Sequence, residues 1–209
     1  MSSSDIISLY ERYAVAWDRQ RRPRHKRHPF EKRWLDRFLR LLPAEPRILD
    51  VGCGMAEPIA AYLISCGARL TGIDSSPSLI GMCRARFPEH EWIVCDMRKL
   101  DLGEKFHGVL SWHSFFHLCP EDQEPMIARF AAHTKLGGAL MFTSGSSRGH
   151  TIAEWQGHPL YHGSLDTVEY EELLTESRFK VIDHVVQDPT CGEATIWLAQ
   201  MTAKSATFT

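Results

Sequence analysis

Along this chain, short apolar runs alternate with longer stretches whose apolar residues recur every three or four positions. The runs are Arg47–Val51, Leu70–Asp74, Trp92–Asp96, Gly108–Trp112, Ala139–Thr143, Phe179–Val186 and Ala194–Gln200. Their length and flanking turn residues predict seven strands. Between them, helical spacing predicts helices over Ile59–Cys66, from a Ser76 cap and Pro77 to Arg86, around Met126, Ile127, Phe130 and Ala131, and from an Asp166 cap to Ser177. Two more precede the first strand: Asp5–Arg19, with Ile6, Leu9, Tyr10, Tyr13 and Trp17 on one face, and Glu31–Leu42, ended by Pro43. The stretch Ser144–Ser164 is polar, rich in glycine and long, and reads as either a functional lid loop or surface irregularity.

Strands alternating with helices imply an α/β fold, a doubly wound, mostly parallel sheet. Only Asp188 to Glu193 separate the last two strands, too few residues for a parallel crossover, so these two form a C-terminal antiparallel hairpin. The expectation is one domain: a seven-stranded Rossmann-like core over 46–209 under an N-terminal helical cap over 1–45.

Composition narrows the function classes. The 209 residues carry a formal net charge of −2, so no global field draws the protein to nucleic acid or an anionic membrane. No apolar run reaches membrane-spanning length, and the first residues lack the pattern of a secretion signal. Six cysteines without a Cys-x-x-Cys pair predict reduced core thiols, and neither a metal site nor a disulfide framework. A cytoplasmic monomer or homodimer is expected. A basic run from Arg19 to Pro29 has no alternating aromatics for base stacking and reads as a solvated linker, although Arg22 stands within reach of a substrate or cofactor carboxylate.

The chemistry-bearing stretch is Asp50-Val51-Gly52-Cys53-Gly54, a strand end opening into a glycine turn and then a helix. Glycines there let backbone approach a ligand closely. A dinucleotide loop carries a third glycine where this chain has Glu57, whose charge, with that of Asp50, repels a diphosphate and suits a cation. Asp74, about twenty residues on, closes the second strand where doubly wound folds place a ribose-binding acid, and Asp96 closes the third.

Asp-x-Gly-x-Gly at the end of a first strand resembles motif I of the class I S-adenosylmethionine-dependent methyltransferases, with Ala56 standing where that family often has glycine. The Leu136-Gly137-Gly138 turn and the reversed last hairpin resemble the same family. The resemblance implies S-adenosylmethionine as cofactor, held by Asp50, Gly52, Cys53, Gly54, Asp74, Ser75, Asp96, Met97 and Trp112. In it Asp74 accepts from the ribose hydroxyls, Asp96 accepts from the adenine amino group, and the Met97 backbone N–H meets the ring. It also implies a methyl acceptor near the end of the fourth strand. There is no Asn/Asp-Pro-Pro-Tyr/Phe sequence, so methylation of base or amide amino groups is disfavoured, and a small-molecule acceptor is expected.

Transfer from a sulfonium needs alignment above all, and a base only for a nucleophile that arrives protonated. His113 and His117, four apart and so on one face of a helical turn, are the candidate bases or substrate anchors; capping or solvent-facing histidines are the alternative. Tyr161 and His162 are candidate substrate contacts from the long loop, Tyr13 and Trp17 candidate lid residues with core packing on the flanking helices as the alternative, and Trp112, Phe115 and Phe116 candidate pocket walls, core packing explaining the two phenylalanines equally well. Three other readings stay open: a tRNA or other RNA methyltransferase using the basic run around Arg22, a nicotinamide-dependent oxidoreductase, and a non-catalytic cofactor-binding protein.

Overall fold

The computed structural model describes residues 3–21 and 30–203. Helices α1 (Ser3–Arg12), α2 (Ala14–Arg21) and α3 (Lys32–Leu39) precede β1 (Arg47–Val51). Then follow α4 (Ile59–Ser65), β2 (Arg69–Asp74), α5 (Pro77–Arg86), β3 (Glu91–Val94), β4 (Phe106–Ser111), α6 (Pro120–His133) and β5 (Thr134–Ser144). The chain ends with β6 (Gly149–Trp155), β7 (His158–Ser164), α7 (Thr167–Glu176), β8 (Phe179–Asp188) and β9 (Ala194–Met201).

Seven strands form one sheet in the order β3-β2-β1-β4-β5-β9-β8. Its pairings are parallel except those of β9, which runs against both β5 and β8. The expected seven-stranded sheet with its reversed end is therefore present.

Side chains of a strand alternate between faces, and here both faces are apolar, as in a sheet covered by helices on both sides. Ile48, Leu70, Leu110, Met141, Ile196 and Leu198 pack with Trp34, Phe38, Ala60, Leu63 and Ile80 of α3, α4 and α5. Leu49, Val51, Val109, Leu140, Phe142 and Trp197 pack on the other face with Met126, Phe130, Tyr170 and Leu174 of α6 and α7. Asp50 shares the pleat direction of Ile48, so a carboxylate enters a buried layer at the end of β1.

Several expectations are corrected. The helix predicted over Asp5–Arg19 is broken at Tyr13 into α1 and α2. The stretch Ser144–Ser164 is not an irregular loop: β6 and β7 pair across Gln156 and Gly157, both at positive φ (55° and 72°). That is the geometry of a two-residue hairpin turn whose twist suits the flanking strands. β3 stops at Val94, so Asp96 stands beyond the strand, as the cap of a short 3₁₀ turn over Met97–Lys99. The Leu136-Gly137-Gly138 segment lies inside β5, which starts at Thr134, and Gly137 is the one of the three at positive φ (77°). Most of the basic run, from Arg22 to Pro29, lies outside the described residues.

The N-terminal helices sit over the carboxyl edge of the sheet, tied at three places. Glu11 accepts from the Ser76 hydroxyl (2.5 Å), the Ser78 hydroxyl (2.6 Å) and the Ser78 backbone N–H (3.1 Å) at the start of α5. Arg86 donates to Asp18 (2.6 Å) and to the Met55 carbonyl (3.0 Å), joining α2, α5 and the glycine loop. Tyr10 stacks on Trp155 of the β6–β7 hairpin (5.2 Å between centroids), and Trp17 meets both edge-on. Breaking a largely buried ion pair from one side is strongly destabilising, so Arg86→Ala is expected to lower unfolding stability by about 3 kcal/mol. Urea denaturation followed by tryptophan fluorescence measures this; an unchanged midpoint contradicts the role given to the Arg86–Asp18 tie.

Candidate active site

In doubly wound sheets, ligands bind outside the strand carboxyl ends where the strand order reverses. Here that point lies between β1 and β4. The Val51 carbonyl at the end of β1 accepts from the hydroxyls of Ser111 (3.0 Å) and Ser114 (2.7 Å). Gly52 then turns at φ 79°, and a Cβ on it would stand 2.3 Å from the Ser114 Cβ, so only glycine fits. The N–H groups of Gly52 and Cys53 donate to the Ile73 carbonyl (2.8 and 3.0 Å), which hangs the glycine loop on β2.

Asp74 completes that attachment. One carboxylate oxygen accepts from the Gly54 N–H (3.0 Å) and the other from the Ser76 N–H (2.9 Å). Burial pushes its carboxyl up to about 6, against the backbone hydrogen bonds from Ser76 and Gly54 and with the charge of Glu11 adding to the rise. Asp50, only 3 % exposed, is pushed up to about 7 by burial and by the charge of Asp74. Two carboxyls held close together near neutrality are a site that a cation would ionise. Glu57 faces the same cleft but lies 3.7 Å from the Arg86 guanidinium, so its charge is partly balanced within the protein. Asp96 is bound by Arg98 through its N–H and guanidinium; burial raises its carboxyl, the bonds and charge of Arg98 outweigh that, and the net shift is down.

Across the cleft, Tyr10, Trp17 and Arg21 from the N-terminal helices face Trp112, His113 and His117 from the segment after β4. The two histidines are not on one helical face. His113 holds a left-handed backbone (φ 52°) with its N–H on the Thr143 hydroxyl (2.9 Å), and His117 closes a short 3₁₀ turn. Burial, with the charge of Arg21 next, brings the His113 imidazole down to about 3; burial, against its hydrogen bond to Tyr161, brings His117 down to about 4. Both are neutral at pH 7.

The tautomer of His117 follows from its partners. The Tyr161 carbonyl, 3.0 Å from Nδ1, can only accept, so Nδ1 carries the proton. Nε2 then offers a lone pair, and the Tyr10 hydroxyl at 3.1 Å donates to it. The Trp112 indole N–H, buried at the cleft wall, has no hydrogen-bond partner among the described residues.

One cleft thus gathers Asp50, Gly52, Cys53, Gly54, Asp74, Ser75, Asp96, Met97, Trp112, His113, His117 and Trp17. Its empty space, open mouth included, is about 990 Å³. Five expected contacts lie off it. Tyr13 donates to or accepts from His158 (2.8 Å), outside the cleft. Tyr161 reaches His117 through its backbone while its ring stacks on His150 (5.3 Å). His162 packs on Phe116 and His117 from behind (4.8 and 5.2 Å). Phe115 is fully buried among Phe130, Phe142 and Tyr170, so it is core rather than wall, and Phe116 supports His113 and His117 without lining the cleft. Arg22 lies outside the described residues. Tyr10, Arg21 and Ser114 were not singled out from sequence. For Tyr10 the signal was present, since it stands seven residues before Trp17 and so on the same helical face; for Ser114 there was none.

Residues 48–138 match the model of the methyltransferase domain family. The chain is similar to a demethylmenaquinone methyltransferase of Chlorobaculum tepidum, 31% identical over 111 residues that cover 44% of this chain and 46% of that one. It thus spans about half the length of that relative. Among solved structures, the fold is similar to the sugar N-methyltransferase KedS8 from a Streptoalloteichus species, with TM-score 0.72, 17% identity and coverage of 90% of this chain and 93% of that one. It is likewise similar to the Burkholderia thailandensis 1,6-didemethyltoxoflavin-N1-methyltransferase, solved with its substrate and S-adenosylhomocysteine, with TM-score 0.70, 20% identity and coverage of 96% and 87%. The matched segment spans the glycine loop and all three aspartates, and the sheet with its reversed last strand gives this chain the same fold as these methyltransferases.

Proposed function

We propose that the protein is an S-adenosylmethionine-dependent methyltransferase acting on a small-molecule acceptor by in-line displacement. The observation that carries the reading is the pair of buried carboxyls, Asp50 and Asp74, beside the glycine turn in the cleft of this fold. Relatives named for demethylmenaquinone, a sugar and 1,6-didemethyltoxoflavin support a small acceptor over a polymer. One domain with the N-terminal helices as its cap is part of this reading, supported by their ties to α5 and to the β6–β7 hairpin. So is a cytoplasmic setting, supported by six cysteines that are all free. No helix among the described residues is long and apolar enough to cross a membrane.

The residues present fit the cofactor. The Gly52 turn leaves a cradle that a Cβ would fill, Asp74 faces the cleft with two fixed backbone donors behind it, and the Trp112 N–H lacks an acceptor among the described residues. Asp74 and Ser75 would hold the ribose, Asp96 and the Met97 backbone the adenine, and Asp50 with the Gly52–Gly54 turn the cationic amino-acid end. When bound, the cofactor supplies a methyl group on a sulfonium, which makes a sulfide the leaving group. The protein's own part is to align, to exclude water beneath Tyr10 and Trp17, and to accept a proton. His117 or His113 serves as the proton-accepting or anchoring group, each held neutral by burial.

Turnover is tested with methyl-labelled S-adenosylmethionine against pools of small aromatic, heterocyclic and sugar acceptors and against bulk RNA. Label in a small-molecule pool is expected, and label confined to RNA contradicts the reading. Removing a charged hydrogen-bond acceptor costs about 1–3 kcal/mol, so Asp74→Asn is expected to weaken S-adenosylhomocysteine binding by roughly ten- to a hundredfold in calorimetry. Unchanged affinity contradicts the ribose role.

A further inference from the structure

We infer that Tyr10 is the group that meets the methyl acceptor, that the acceptor is an aromatic hydroxyl compound, and that its proton passes through the Tyr10 hydroxyl to His117. The inference rests on the methyltransferase reading and names the acceptor class and proton path of the same cleft.

The geometry leaves His117 no free nitrogen. Its Nδ1–H is held by the Tyr161 carbonyl (3.0 Å) and its Nε2 by the Tyr10 hydroxyl (3.1 Å). An acceptor molecule therefore meets His117 only through Tyr10. A phenolic hydroxyl donates once and accepts twice, so Tyr10, while donating to Nε2, still offers lone pairs to an incoming O–H. Its ring is fixed between Trp155 (5.2 Å, stacked) and Trp17 (5.4 Å, edge-on), both of which hold it in place over the cleft.

The surroundings select the acceptor. Tyr10, Trp17 and Trp112 give the cleft flat aromatic walls, and the Trp112 N–H is a buried donor without a partner among the described residues. The carboxylates of the cleft, Asp50, Glu57, Asp74 and Asp96, stand at or just beyond the ends of β1, β2 and β3, whereas the segment after β4 presents imidazoles. Asp74 and, less strongly and in the opposite sense, Arg21 act on Tyr10, and the imidazoles of His113 and His162 stand beside His117. Burial and Asp74 prevail over Arg21, which also lies 3.7 Å from Glu31, so the Tyr10 hydroxyl keeps its proton until it passes it to His117.

The step balances. A lone pair of the acceptor oxygen forms the new O–CH₃ bond while the electron pair of the breaking C–S bond stays on sulfur. The acceptor's proton goes to the Tyr10 oxygen as the Tyr10 proton goes to His117 Nε2. The site loses the sulfonium charge as it gains the imidazolium charge, so its net charge is unchanged, and the buried histidine is not asked to carry an additional uncompensated charge.

The test uses two phenols at pH 8 with labelled methyl donor: 4-nitrophenol, which arrives largely as its anion, and 4-methylphenol, which arrives protonated. Positioned proton transfer contributes about 10²–10⁴-fold, so Tyr10→Phe is expected to lower kcat on 4-methylphenol about a hundredfold and on 4-nitrophenol less than about threefold. S-adenosylhomocysteine affinity is expected to be unchanged. His117→Gln is expected to give the same selective loss and carries the test if Tyr10→Phe does not fold. Equal loss on both phenols, or loss on neither, overturns the proton path. A wild-type protein that binds S-adenosylhomocysteine but methylates neither phenol overturns the acceptor class and leaves the methyltransferase reading standing. Failure of the wild type to bind S-adenosylhomocysteine at all overturns that reading itself.

Discussion

The site depends on one carboxylate. Asp74 holds the Gly54 N–H with one oxygen and the Ser76 N–H with the other, so a single side chain fixes the glycine loop and the start of α5 in register with the end of β2. The cost is a charge held where it is poorly solvated, beside a second carboxyl at Asp50. Both groups hold protons in the folded chain at pH values where the unfolded chain has released them. Their contribution to stability is therefore fully present below their ordinary values near 3.8 and is lost as pH rises through about 6 to 7. A bound cation reverses this, because it favours the ionised pair. An arrangement that weakens the free protein at neutral pH thus strengthens its complex with a positively charged ligand.

The same edge of the sheet explains why the N-terminal helices are where they are. α1 brings Tyr10 over the cleft and Glu11 to the serines at the start of α5, and α2 brings Asp18 to Arg86. Arg86 also binds the Met55 carbonyl in the glycine loop, so cap and loop share a guanidinium. The β6–β7 hairpin closes the cluster from the other side through Trp155, whose N–H donates to Gln20 (2.8 Å). The N-terminal helices and the glycine loop are mechanically one assembly rather than two.

The sheet was legible because a strand buried on both faces leaves an apolar run in the sequence, and the Asp188–Glu193 link forces an antiparallel turn by its length alone. The glycine loop and the three aspartates were legible because they end those runs. What was not legible depended on contacts between distant segments. The polarity of His150, Thr151, Glu154, His158 and His162 hid β6 and β7, since a hairpin exposed on one side lacks an apolar run, although Gln156-Gly157 between alternating residues carried the turn signal. The spacing of His113 and His117 suggested a helical face, but His113 takes a left-handed backbone that breaks it. Ala56 also sits at positive φ (67°), so the residue where the family often has glycine keeps a glycine-like backbone, at a strain cost of about 1–2 kcal/mol for an L-residue. Tyr10 read as one of several residues on an apolar helix face, and only the fold shows its hydroxyl on His117.

The measurement that tests the central claim most directly is calorimetric titration of the protein with S-adenosylhomocysteine from pH 5 to pH 8, in buffers of different ionisation enthalpy. With Asp50 raised to about 7 and Asp74 to about 6, binding of the ligand's ammonium group beside them is expected to release protons. Affinity is expected to climb with pH, by up to about tenfold per unit for each group below its own value, and to level off above pH 7. A pH-independent affinity with no proton release would contradict the account.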